Sequence, residues 1–299
     1  MDIEALRQQY LQQLQTEEAA APPPVTPEAV AQYVASDGRD DVKICQMIAS
    51  LPLDRETFET SVRALLDIAA DKSVGAVARL AALRQLGSAE FRAARFGPFH
   101  AEYIDLLRTL ATDEDVEVRT AALERLTLTA DPHALKLLSD GLQKVGDALV
   151  PAAKAVQLLA RDDHGSALPI FRTLATEAKG QVREEALRAL ATDVKSAPLF
   201  ERLAANKDEK TALRHIAAVN LKNISPPRFA KVARKLVLDE NEDDKLRAAA
   251  VSAITHTPAV AEKVVTRRFA TAVKKLRATT RSGALKSSIG RFSKVFGEG

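Results

Sequence analysis

The chain has no tryptophan and one cysteine, and among its 299 residues only 12 are glycine and 13 proline. With Cys45 alone, no internal disulfide and no cysteine-based zinc site can form. Aromatic residues make up 4% of the chain, so burial must rest on aliphatic side chains. The histidines, His100, His133, His164, His215 and His256, are scattered, and no HExxH, GxSxG or glycine-rich phosphate loop occurs. That removes the familiar zinc-hydrolase, serine-hydrolase and nucleotide motifs. No stretch approaches the roughly 18 consecutive apolar residues of a membrane span. The opening MDIEALRQQYLQQLQTEE lacks the apolar core of a signal peptide. A cytoplasmic chain without metal, cofactor or catalytic constellation is expected.

What is present in quantity is alanine and leucine, which dominate a hydrophobic fraction of 46%. Both favour helices and allow close packing. One pattern recurs, seen best in DEDVEVRTAALERL from Asp113 to Leu126. Counting its arginine as zero, apolar residues stand at −1, +3, +4 and +7. Around Arg119 they are Val118, Ala122, Leu123 and Leu126. Arg79, Arg183, Arg214 and Arg247 anchor four further matches, ending at Leu86, Leu190, Leu221 and Ile254. Those offsets lie on one stripe of a helix. A stripe repeating at this interval implies stacked helix pairs, each lending its apolar face to the next.

The chain therefore divides into four stretches. Residues 1–18 read as an amphipathic helix, with Ile3, Leu6, Tyr10 and Leu14 on one side. Residues 19–27 are an Ala/Pro-rich linker, because three consecutive prolines cannot continue a helix. An array of about seven helix pairs is expected over 28–257, with an irregular insertion at 87–100. Thr26-Pro27-Glu28 is a good helix start. The last stretch, 258–299, reads as a capping helix followed by a basic tail.

Charge is unevenly placed. From Pro258 onward the basic residues are Lys263, Arg267, Arg268, Lys274, Lys275, Arg277, Arg281, Lys286, Arg291 and Lys294, opposed only by Glu262 and Glu298. That stretch carries +8, so the preceding body carries −5 of the total of +3. A mildly acidic body is a poor match to a solenoid gripping nucleic acid along its whole length.

The acidic turn, the Val-Arg pair and the Ala-Leu-x-x-Leu run, best preserved in TDEDVEVRTAALERL and GQVREEALRAL, resemble HEAT repeats of the short bacterial type. The likeness covers roughly 27–258. It implies a right-handed α-solenoid, an armadillo-type superhelix of antiparallel helix pairs whose second helices line a concave face. It also implies a ladder of acidic turn residues and arginines. Carried onto this sequence, the ladder pairs Arg119, Arg183 and Arg214 with Asp113, Glu177 and Asp208, each six residues earlier, with Arg79 and Arg247 as further rungs.

Polar second-helix positions facing the concavity are the candidate partner contacts. Arg84, Glu124, Arg188, Val219 and Ser252 stand at +5, and His215 opens one of these helices. Their charges are mixed, which favours a protein partner over a polyanion. In EFRAARFGPFHAEY, over 90–103, Phe91, Phe96 and Phe99 alternate with Arg92 and Arg95. Aromatic residues and arginine are enriched in binding hot spots, yet an insertion must also cover the seam it opens. Packing and partner contact both remain open there, with Arg92, Arg95, Phe96 and Phe99 as the candidates. Asp162-Asp163-His164-Gly165 and the acidic run 239–244 are expected to be ordinary turns. The tail either caps the array or meets an anionic membrane surface, nucleic acid or acidic protein.

These readings together point to a non-catalytic scaffold that binds a protein partner; oligomeric state is not encoded legibly. Two other classes stay open, both by analogy of fold. One is a nucleic-acid-binding, DNA-glycosylase-like protein, suggested by Arg188, Lys222 and the tail. The other is a lyase subunit assisting cofactor attachment.

Overall fold

Thr26 opens the first helix, its Oγ1 accepting a hydrogen bond from the Ala29 N–H at 3.2 Å, and Pro27 follows where a missing N–H costs nothing. This start belongs to a computed structural model that describes residues 25–144, 148–162 and 165–297. The expected helix over 1–18 and most of the Ala/Pro-rich linker lie outside the described residues.

Among the described residues the secondary structure is helical throughout, seventeen α-helices and one 3-10 turn. The first six are α1 (Pro27–Val34), α2 (Asp41–Ala49), α3 (Phe58–Ala70), α4 (Ala76–Ala89), α5 (Ala93–Leu110) and α6 (Val116–Leu128). Next come α7 (Pro132–Gln143), α8 (Ala152–Leu159), α9 (Leu168–Glu177), α10 (Gly180–Ala189), α11 (Ala197–Ala205) and α12 (Thr211–Ile224). The last are α13 (Pro226–Leu238), α14 (Asp244–His256), α15 (Pro258–Val264), α16 (Arg267–Thr279) and α17 (Gly283–Phe296).

The chain divides after Ala134 into two compact units. In the first, the pairs α1/α2, α3/α4 and α5/α6 stack so that first helices adjoin first helices and second adjoin second. In the second, α9/α10, α11/α12 and α13/α14 pair, and α8, α10, α12, α14 and α17 form one row. This is the two-row packing of helix pairs that the repeat pattern predicts. Every +3, +4 and +7 residue of the five matching helices is buried, including Ala82, Leu123, Leu187, Ala217 and Ile254. The alanines let neighbouring backbones approach, and each buried leucine contributes on the order of 1.5–3 kcal/mol.

Two expectations need correction. The stretch 87–100 is not irregular: α4 runs on to Ala89, and α5 begins at Ala93 and continues for 18 residues. Pro98 falls inside α5 without ending it. The longer interval between anchors is thus taken up by a lengthened first helix.

Nor is 258–299 one capping helix with a trailing tail. The expected single helix breaks before Thr266, whose Oγ1 accepts from the Phe269 N–H at 3.2 Å to start α16. Phe269, Val273, Leu285, Ile289 and Phe292 are buried, and Phe269 meets Phe292 edge-on at 6.0 Å. The segment is a further helix pair: α15 and α16 lie against α13, while α17 packs on α14.

Candidate partner-binding surface

Five helix pairs place an arginine near the start of the second helix, Arg79, Arg119, Arg183, Arg214 and Arg247, and backbone geometry decides where it reaches. Side chains on a helix lean toward its N-terminus, which carries the guanidinium back over the preceding turn. Nε of Arg79 donates to the Ala69 carbonyl at 3.2 Å, that of Arg183 to Ala175 at 3.0 Å, and that of Arg214 to Ala204 at 3.2 Å. Arg247 does the same to Val237 at 3.3 Å. These acceptors sit at the C-terminal ends of the first helices, where carbonyls lack helical partners and the dipole is negative.

The acidic partner comes from the following repeat. Arg79 grips Asp113 with Nη2···Oδ2 at 2.5 Å and Nη1···Oδ1 at 3.3 Å. Arg214 holds Glu242 in the same two-pronged way, and Arg183 meets Glu209 at 2.7 Å. The ladder expected from sequence therefore has the wrong register. Asp113 is a rung, but for Arg79 rather than Arg119, while Glu177 and Asp208 are exposed. Arg119 instead donates Nη1 to the backbone carbonyls of Asp113 and Glu114 at 3.1 and 3.0 Å. Arg247 pairs within its own helix, to Asp244 at 3.2 Å.

A second set of ion pairs, unforeseen from sequence, ties first helices to the turns that follow the second helices of the same pairs. Arg108 on α5 reaches Asp131 at 2.8 Å, and Arg172 on α9 reaches Asp193 at 2.7 Å. Asp131, Asp162 and Asp193 recur at one constant interval and are all buried; that interval was the available signal. Asp131 also accepts from the His133 and Ala134 N–H groups at 3.0 and 3.1 Å. Asp162 accepts from Ser166 Oγ at 2.6 Å. Asp162 is thus a turn residue, as expected, while Asp163 and His164 lie outside the described residues. The Arg172 hydrogen bonds, with help from Ser196, hold the Asp193 carboxyl below its ordinary range against burial. At Asp131 and Asp113 burial pushes upward but is outweighed by the arginine and N–H donors, so both end lower.

The acidic run 239–244 dissolves into separate structural roles. Asp239 pairs with Lys207 at 2.5 Å, Glu242 with Arg214, and Asp243 caps α14 by accepting from the Lys245 and Leu246 N–H groups at 2.9 Å. No group of histidine, cysteine and acidic side chains arranged to hold a metal occurs among the described residues.

The expected partner contacts lie along the second helices. Arg84 and His215 are exposed, Glu124 and Ser252 half-buried. Arg188 is exposed, but its charge is balanced within α10 by Glu184 and Glu185. In the second unit Ser252 and Val219 line one groove of about 370 Å³ between α12 and α14. Its floor holds Ala249 and Ala253, one turn apart, and its rim carries Lys222 and His256. Sequence reasoning named Ser252 and Val219 for this face, and Lys222 only for nucleic acid, but missed Ala249, Ala253 and His256 as groove residues; the small residues on α14 were the signal. Arg188 borders a different cavity, with Glu185 and Gln157. His215 lines neither.

In the Phe-rich segment the structure separates side chains that sequence had grouped. Phe96 and Phe99 are buried, with Phe96 edge-on to Tyr103 at 5.5 Å, so they pack rather than bind. Arg92 and Arg95 are exposed, Arg92 lying over the Phe58 ring at 5.9 Å. Phe91 is 89% exposed and Leu128 62%. They border a cavity of about 230 Å³ whose wall includes Tyr103, Arg125 and Glu90. Arg125 bonds Glu90 there, and Tyr103 Oη is buried without a hydrogen-bond partner.

No family model matches the chain. No curated relative is found either. Among solved structures, the chain is similar to one titled as the complex of CpcE and CpcF of phycocyanin lyase from Nostoc sp. PCC7120. Identity there is 19%, the match covers 86% of this chain and 97% of the other, and the TM-score is 0.37. It is also similar to human deoxyhypusine hydroxylase in complex with glycerol, at 14% identity, 81% and 97% coverage and a TM-score of 0.35.

Proposed function

We propose that the protein is a non-catalytic scaffold that binds a protein partner on the face formed by its second helices. One observation carries the reading: the α12–α14 groove combines an open, small-residue apolar floor with a polar rim of Lys222, Ser252 and His256. Interior positions of the array are filled by leucine and alanine, so an apolar floor left open to solvent is a place where a partner's side chain gains burial. Val219, 40% exposed, is the largest apolar residue presented there. The buried carboxylates Asp113, Asp131, Asp193 and Glu242 are engaged in ion pairs and caps, and recognition rather than chemistry is the role that fits this face.

The test is affinity capture from the native cell with the intact chain and with Val219→Glu, identified by mass spectrometry. The substitution sits at the surface and should leave helical content unchanged. Partners captured by the intact chain should be reduced at least about tenfold, since a buried unpaired carboxylate is strongly unfavourable. Retention of every partner by Val219→Glu and by Arg84→Glu alike removes the second-helix face from the account.

A further inference from the structure

We infer that the outer surface of the last helix pair, α16 and α17, docks the phosphate backbone of double-stranded nucleic acid without reading its sequence. All ten basic residues from Lys263 to Lys294 are exposed. None of them forms an ion pair among the described residues. Their recorded polar contacts beyond helical backbone are to neutral atoms: Lys274 Nζ donates to the Gly297 carbonyl at 2.9 Å, and Arg291 to Ser287 Oγ at 3.0 Å and Ser288 Oγ at 3.3 Å. Elsewhere many arginines are matched, Arg63 to Glu102, Arg172 to Asp193 and Arg228 to Glu201 among them. The excess charge at this pair is left uncompensated.

Solubility does not explain it. A terminal repeat needs a polar outer face, but mixed signs supply that without self-repulsion. Here Lys274 and Arg277, and Arg291 and Lys294, repel at a spacing of one turn, which opposes helix formation. The arrangement suits a dense anionic partner.

The fold narrows which one. An amphipathic helix enters a membrane surface with its apolar face, and the apolar faces of both helices are already buried, apart from Val295 and part of Phe296 at the end of α17. Single strands are held by stacking on exposed aromatic rings. Phe269 and Phe292 are buried and Phe296 leans on Phe292 at 5.0 Å, so no stacking platform is offered. On α16 the pairs Arg267/Lys274 and Arg268/Lys275 form two columns two turns apart, about 10.5 Å along the axis. A duplex carries one negative charge per about 1.7 Å of its axis, both strands counted, so a column of that length faces several phosphates wherever it lies along the duplex. A protein surface rarely offers a single sign over that length.

The inference is independent of the α12–α14 groove. It is tested by fluorescence anisotropy of the full chain with labelled random-sequence DNA and RNA duplexes of about 20 base pairs, at about 50 to 200 mM salt. Polyglutamate, a single strand of equal length and phosphatidylserine vesicles serve as comparators. Duplex binding should weaken steeply and log-linearly with salt, exceed binding to all three comparators, and fall at least about tenfold in K274E/K275E with Arg55→Glu, at an exposed site in the first unit, as the unaffected control. Should K274E/K275E unfold, R267E/R268E provides the same reading. Salt-independent binding, equal binding by the reversed variants, or polyglutamate or vesicles bound as tightly as duplex each overturns it.

Discussion

Arg214 and Glu242 are joined by two hydrogen bonds, one at 2.8 Å, across 28 residues and a whole intervening helix. The same guanidinium bonds the Ala204 carbonyl through Nε and Nη2. One side chain thus closes its own helix pair and locks that pair to the next. Both charges are buried, so removing one partner strands the other. Arg214→Ala should cost about 3–5 kcal/mol, whereas Arg214→Met with Glu242→Leu should be near neutral. Urea unfolding followed by circular dichroism distinguishes the two, and equal losses in both would show that the pair's hydrogen bonds outweigh its desolvation.

The seam between repeats was legible because its period is local. Ala122, Leu123 and Leu126 sit within one helix, and their spacing alone names the buried side. The rungs were not. Glu209 and Glu242 lie one repeat onward from the arginines they serve, and the acidic residues nearer in sequence, Glu177 and Asp208, drew the register toward themselves. Contacts between repeats follow from helix direction, which a one-dimensional pattern does not carry. The same limit hid the last helix pair: its basic residues suggested a solvated tail, while Leu285, Ile289 and Phe292 found partners on α16 and α14.

The alanine seam can be tested by filling it. Ala186 is fully buried on α10, which packs against both α8 and α12. Ala186→Leu adds volume where backbones approach closely, and should destabilise by roughly 1–3 kcal/mol. A lowered thermal midpoint with unchanged helical content at room temperature is the expected result; no change would mean the joint has slack.

Acid should loosen the buried arginine–aspartate pairs. Asp113, Asp131 and Asp193 have carboxyls held below their ordinary range in the folded chain. A group whose folded pKa is depressed contributes stability that is complete above its unfolded value, about 3.9, and is lost as pH falls through the lower folded value. The urea midpoint should therefore be flat from neutrality to about pH 5 and drop below about pH 4. Asp193→Asn should be less stable than the parent at neutral pH and show a shallower acid decline. A parallel decline in both would place the acid sensitivity elsewhere.

Phe91 and Phe96 test how far composition can mislead. Both stand in EFRAARFGPFHAEY, and sequence treats them alike as packing or contact residues. In the structure Phe96 is buried against Tyr103 and Phe99 on α5, while Phe91 lies beyond the end of α4 in solvent. Phe96→Ala should cost about 3–5 kcal/mol, the scale for emptying a packed aromatic site. Phe91→Ala should change stability by no more than about 0.5 kcal/mol, because an exposed side chain leaves no cavity behind. Matched urea titrations measure both. Comparable losses at the two positions would mean that Phe91 folds onto its neighbours in solution, closing the cavity bordered by Tyr103 and Arg125.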